Sequence, residues 1–91
     1  MKLQWTGNAL GDLARLHDFL AEVNPAAAAK AIQSLVAAPE RLVEFPRLGE
    51  RIERYAPRDV RRIVVGRYEL RYEVTDTVIT VLRLWHTRES R

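Results

Sequence analysis

Val60-Arg61-Arg62-Ile63-Val64-Val65-Gly66-Arg67-Tyr68-Glu69-Leu70-Arg71-Tyr72-Glu73-Val74, with Val78-Ile79-Thr80-Val81-Leu82-Arg83-Leu84-Trp85-His86-Thr87-Arg88-Glu89 behind it, decides the fold. Three runs rich in β-branched and aromatic residues lie back to back with few turn residues between them, the pattern of an antiparallel meander. Gly66-Arg67 suits a two-residue hairpin turn, and Thr75-Asp76-Thr77 marks the second reversal. Side chains alternate along a strand, so this hairpin sorts residues by face. Val65 opposes Tyr68, Ile63 opposes Leu70 and Arg61 opposes Tyr72, an apolar face that should meet helices. The other face collects Arg62, Val64, Glu69, Arg71 and Glu73. It is polar, mixed in sign and predicted to be accessible, a docking surface for an anionic partner.

The parity of the last run depends on the second turn. A two-residue Thr75-Asp76 turn places His86 on the polar face beside Arg62 and Arg71. Ile79, Val81 and Trp85 then enter the core, and Arg83 lies on the helix side, where it needs a carboxylate. A three-residue turn reverses this, with His86 against the helices and Arg83 and Trp85 on the open face. Core filling favours the first register.

Upstream, Lys2 to Thr6 alternates as a short strand. Asn8 is a candidate N-cap, and Leu10, Leu13, Leu16, Leu20 and Val23 recur at the three- and four-residue spacing of an amphipathic helix. Asn24-Pro25 restarts the chain, Asn as cap and Pro at the first helical position. Ala28, Ile32, Leu35 and Val36 give the second helix its buried stripe. Pro39 predicts a kink or a short third segment, and Phe45-Pro46 ends the run. Leu48-Gly49 reads as a turn, Ile52–Tyr55 as a strand, and Ala56-Pro57-Arg58-Asp59 as a loop. The fold class is therefore α+β: a short N-terminal strand, a two-helix hairpin, then a three- to four-stranded antiparallel sheet with the helices on one face.

Residues 1–91 suffice for one small domain, and a hydrophobic content of 47% supports a packed core. The absence of cysteine excludes disulfides and thiolate metal sites, and makes a reducing cytoplasm the natural setting. His17 and His86 are too isolated for a metal site, and nothing calls for a cofactor. No segment approaches the roughly 20 apolar residues of a membrane span, and Met1-Lys2-Leu3-Gln4-Trp5 lacks a signal peptide's apolar stretch. The net charge of +3, from 15 Lys+Arg and 12 Asp+Glu, steers toward acidic proteins as well as nucleic acid.

Taken in order, Trp5, the Asp12-Leu13 helix and Phe45-Pro46-Arg47-Leu48-Gly49 lead into Arg61-Arg62-Ile63-Val64-Val65. Tyr68-Glu69-Leu70-Arg71-Tyr72 and Leu82-Arg83-Leu84-Trp85-His86-Thr87-Arg88 complete a pattern that resembles the RelE/ParE family, toxins of bacterial type II toxin–antitoxin operons. The resemblance implies a cognate antitoxin whose tail settles on the open sheet face and groove, in a toxin–antitoxin hetero-oligomer. It implies antitoxin or target contacts at Arg62, Arg71, Arg83, His86 and Arg88.

The target divides the family. RelE-type members cleave mRNA in the ribosome, and Arg62 and His86 match a basic and a catalytic position of that site. Two features depart from it: Glu69 follows Tyr68 where the nucleases commonly carry Arg, and Thr87 follows His86 where several place Tyr nearby. The His-x-Arg ending is closer to ParE-type members, which poison DNA gyrase.

Overall fold

The computed structural model describes residues 1–89. Ser90 and Arg91, the end of the span expected to form one domain, lie outside the described residues. The element order is β1 (Lys2–Trp5), α1 (Gly7–Val23), α2 (Pro25–Glu44), β2 (Glu50–Arg51), a 3₁₀ turn (Glu53–Tyr55), β3 (Asp59–Val65), β4 (Tyr68–Val74) and β5 (Val78–His86). The five strands form one sheet in the order β1-β5-β4-β3-β2, with β1 parallel to β5 and every other pair antiparallel.

Gly66 takes φ +62° at the first turn, a conformation open to glycine at little cost. That turn sets the β3–β4 register as the alternation requires: Val65↔Tyr68, Ile63↔Leu70, Arg61↔Tyr72. The apolar face carries Leu70, Tyr72, Ile79, Val81 and Leu84, all fully buried with Ala9, Leu16, Leu35 and Leu42 of the helices.

The β4–β5 pair answers the parity question in two halves. Tyr72 pairs with Val81 and Val74 with Ile79, but Arg71 pairs with Arg83, so Leu82 is an extra residue on β5. This bulge reverses the facing of everything beyond it. Ile79 and Val81 point into the core, as the two-residue turn required. Past the bulge the other register holds: Arg83 and Trp85 lie on the open face, and His86 sits opposite Tyr68 on the helix side. The placement of Trp85 in the helix-side core and of His86 beside Arg62 is thereby corrected.

Local boundaries move for identifiable reasons. Thr6, not Asn8, caps α1, because its Oγ1 accepts the Ala9 N–H at 3.0 Å directly after β1. The same hydroxyl donates to the carbonyl of the bulged Leu82 at 2.9 Å. Asn24 caps α2 as expected, accepting from Ala27 N–H at 3.1 Å. No third segment begins at Pro39: α2 runs through it, and the ring is fully buried. The α1 stripe is rotated, with Ala9, Asp12 and Leu16 buried while Leu10 and Val23 face outward. Ile52–Tyr55 is not a strand. The pairing falls one turn earlier, at Glu50↔Arg62 and Arg51↔Arg61, and residues 53–55 form the 3₁₀ turn.

The Pro46–Gly49 connection is pinned from within the core. Tyr72 Oη donates to Pro46 O at 2.8 Å and accepts the Gly49 N–H at 2.8 Å. A Cβ on Gly49 would lie 2.6 Å from Arg62 O and 2.7 Å from Tyr72 Oη, so only glycine lets the turn approach this closely.

Candidate functional site

Three arginines form a row across the open face: Arg62 on β3 opposes Arg71 on β4, which opposes Arg83 on β5. Like charges directly opposite one another destabilise a sheet. Each of these has a carboxylate. Glu50 takes Arg62 Nη2 at 2.7 Å, Glu69 takes Arg71 Nη2 at 2.9 Å, and Asp12 takes Arg83 Nε at 2.7 Å and Nη2 at 3.0 Å.

The three are not equivalent. Arg62 and Glu50 are both well exposed, so their pair is worth little. Arg71 was expected to be accessible and is not, being only 8% exposed. The 3₁₀ turn brings Tyr55 over it: Arg71 Nη1 donates to Tyr55 Oη at 3.2 Å, and its Cζ lies 5.8 Å from that ring and 4.7 Å from the Trp85 ring. Arg83 Cζ lies 5.6 Å from the Trp85 ring, and Arg54 Cζ 5.2 Å from the Tyr55 ring. Arg54, Tyr55, Arg71, Trp85 and Arg83 thus make a ladder of alternating cations and rings. Hydrogen bonding from Arg54 pulls the Tyr55 phenol below its ordinary value, opposed by burial and assisted by Arg71. None of Arg54, Tyr55 or Glu69 stood out as a binding residue in the sequence, because nothing in its alternation shows a 3₁₀ turn folding back over the sheet.

Arg83 leaves the open face by its side chain to reach α1. Beyond the end of β1, the outer edge of β5 is closed entirely by side chains and turns. Thr6 Oγ1 donates to Leu82 O, Asp12 accepts the Leu84 N–H at 2.9 Å, and Arg15 Nη2 donates to Leu84 O at 3.3 Å. Glu89 accepts the His86 N–H at 3.2 Å and binds Arg15 Nη1 through both oxygens at 2.8 and 2.9 Å. Burial pushes the Asp12 carboxyl up, but Arg83, the Leu84 N–H and the field of Arg15 outweigh it and hold the group below the usual carboxylate range.

His86 and Arg62 are not brought together. The His86 ring packs edge-on against Tyr68, with centroids 5.4 Å apart, and its Nδ1 accepts the Arg88 N–H at 3.1 Å. That bond fixes the tautomer with the proton on Nε2. Arg88 is exposed in the turn beyond β5, and its side chain makes no ion pair among the described residues.

The opposite edge of the sheet is treated differently. β2 ends after pairing Arg61 and Arg62. Ile52 N–H donates to Val60 O, so Val60, Arg62 and Val64 turn their backbone groups toward the β2 side. At Val64 no strand of the described residues meets them. A groove of about 820 Å³ opens at this point between β3 and α2, lined by Ala37, Arg41, Leu48, Arg62 and Val64. Val64 and Leu48 are 65% and 50% exposed, apolar side chains without cover at the groove. Among the described residues no helix is long and apolar enough to cross a membrane, and no group of three or more His, Cys, Asp or Glu is placed to hold a metal.

The model of the ParE toxin of the type II toxin–antitoxin system parDE matches residues 3–91. Toxin RelE2 of Caulobacter vibrioides is 34% identical over 83 residues, 90% of each protein. Among solved structures, a chain of the chromosomal ParDE TA system from P. aeruginosa superimposes with a TM-score of 0.79 at 26% identity, over 94% of this chain and 95% of that one. A strand, a helical hairpin and a bulged antiparallel sheet, matched over nearly their whole length, place this chain in the RelE/ParE family as a type II toxin, a membership that implies a cognate antitoxin.

Proposed function

We propose that this toxin arrests bacterial growth by poisoning DNA gyrase in the cytoplasm, and that it does not cleave mRNA. The observation that carries the reading is the separation of His86 from Arg62. General acid–base cleavage needs a proton-moving group within hydrogen-bond reach of the reacting phosphate. His86 lies on the opposite side of the sheet from the arginine row, and its Nδ1 is occupied by the Arg88 N–H. A poison needs only a surface that holds the enzyme–DNA intermediate, and the accessible guanidiniums of Arg54, Arg62 and Arg83, backed by the buried Arg71 and Trp85, supply one.

The cognate antitoxin occupies the groove between β3 and α2. The contrast between the two sheet edges supports this: β5 is closed by four side chains, whereas β3 at Val64 presents open backbone groups beside exposed Leu48. An extended segment carrying alternate apolar residues adds there as a strand, and acidic residues beside them meet Arg41 and Arg62.

Expression in bacteria tests both parts. The toxin alone is expected to stop growth, and co-expression of its antitoxin to restore it. His86→Ala is expected to keep most of the toxicity, whereas loss of a general acid or base slows chemistry by about 10²–10⁴-fold. A stably folded His86→Ala protein that still bound antitoxin but had lost toxicity would favour the nuclease.

A further inference from the structure

A second concavity, about 490 Å³, lies on the open face, lined by Arg15, Arg54, Arg62, Arg71 and Arg83 together with Tyr55. We infer that it is a phosphodiester-binding site that grips the DNA backbone when the toxin engages its target; the assignment to DNA rests on the poisoning reading. Five cations line the wall, and the carboxylate among the lining residues, Glu89, is already held by both its oxygens on Arg15. The Asp12, Glu50 and Glu69 carboxylates stand outside the lining. Glu69, a departure that would repel a phosphate if it faced one, is almost wholly buried and tied to Arg71.

Donor capacity remains after these pairings. A guanidinium carries five N–H donors. Arg83 spends Nε and Nη2 on Asp12, leaving Nη1, and Arg62 spends Nη2 on Glu50. Arg71 spends Nη1 and Nη2 and its Nε is buried, so it backs the row with its charge and offers no free donor. Arg54 has no carboxylate partner among the described residues, only the Tyr55 ring and hydroxyl. The cation–ring ladder holds these groups in place before any ligand arrives, so little side-chain entropy is lost on binding. A row of cations across three strands suits a polyanionic backbone better than a single anion. The Trp85 ring already lies against Arg71 and Arg83, which makes the site a reader of phosphate and not of bases.

The test measures binding of a labelled short single-stranded DNA by fluorescence anisotropy across a salt series. Arg54→Gln and Arg62→Gln are exposed changes expected to preserve the fold, checked by circular dichroism and melting temperature. Each is expected to weaken binding about tenfold and to lower the salt slope by about one unit. Arg67→Gln, which removes the same charge from the exposed hairpin turn, is expected to stay near wild type. RNA of the same sequence is expected to bind as well as DNA, since no contact with a 2′-hydroxyl is invoked. Equal weakening by Arg67→Gln, equal competition by polyglutamate, or binding of RNA alone would overturn the site. Gyrase trapping is assayed separately. Wild type that binds DNA without trapping gyrase removes the poisoning reading and leaves the pocket standing. Arg54→Gln that loses DNA yet traps gyrase at full potency overturns the role given to the pocket.

Discussion

Asp12 joins three groups at once, the Arg83 guanidinium, the Leu84 N–H and the edge of the Arg15 guanidinium at 3.5 Å, while only 5% exposed. Its carboxyl is held below the ordinary value, so near pH 4 the folded protein binds fewer protons than the unfolded chain. The resulting stabilisation is fully present above the unfolded carboxylate pKa of about 3.9 and is lost as pH falls through the lower folded value. Asp12→Asn is expected to destabilise at neutral pH by about 1–3 kcal/mol and to flatten the loss of stability below about pH 4. Denaturant unfolding across that range measures both effects. Tyr72→Phe leaves the Pro46 carbonyl and Gly49 N–H without their buried partner and is expected to cost about 1–3 kcal/mol, measurable by the same unfolding. Neither role was legible beforehand. Asp12 sits at helical spacing between Ala9 and Leu16, where a carboxylate in a buried stripe is the available signal, but its main partners, Arg83 and the Leu84 N–H, lie 71 and 72 residues away. Tyr72 was legible as core from alternation, and its hydroxyl's partners come from a turn that no periodicity describes.

At the scale of elements, the two helices and the β3–β4 hairpin were readable because their signals are local. Asn24-Pro25 starts α2, and Gly66-Arg67 fixes a register that cannot slip without moving a whole apolar set to solvent. The β5 facing was not readable, because Leu82 is an ordinary strand residue and the bulge it makes is met by a hydroxyl, that of Thr6, from a distant part of the sequence. Half of each candidate register was right for that reason. The same step governs the site, moving Trp85 and Arg83 to the open face and His86 away from it. The free edge at Val64 yields a further test. Its N–H points away from β4, so Val64→Pro removes a donor needed by an added strand while sparing the β3–β4 ladder. This variant is expected to remain toxic and to bind antitoxin at least about tenfold more weakly, since more than one backbone contact depends on that edge. Calorimetric titration with the antitoxin checks it, and unchanged affinity would place the antitoxin elsewhere.

Across the whole molecule, 15 cations meet 12 carboxylates, yet the balance is distributed by role. Carboxylates are spent on closing the β5 edge and on backing the arginine row, leaving guanidinium donors exposed on the open face and an apolar groove at the opposite edge. An antitoxin in the groove and a target on the face then touch a shared residue, Arg62, which lines both concavities. In the proposed function, neutralisation then comes from competition for that arginine and from bulk beside it. The family was legible in the order of its segments, and the separation of His86 from the arginine row needed the coordinates. The most direct measurement sets purified toxin against supercoiling by DNA gyrase and, in parallel, against mRNA in translating ribosomes. Poisoning predicts accumulated gyrase–DNA cleavage complexes and intact message. Ribosome-dependent cleavage of the message with gyrase unaffected would contradict it.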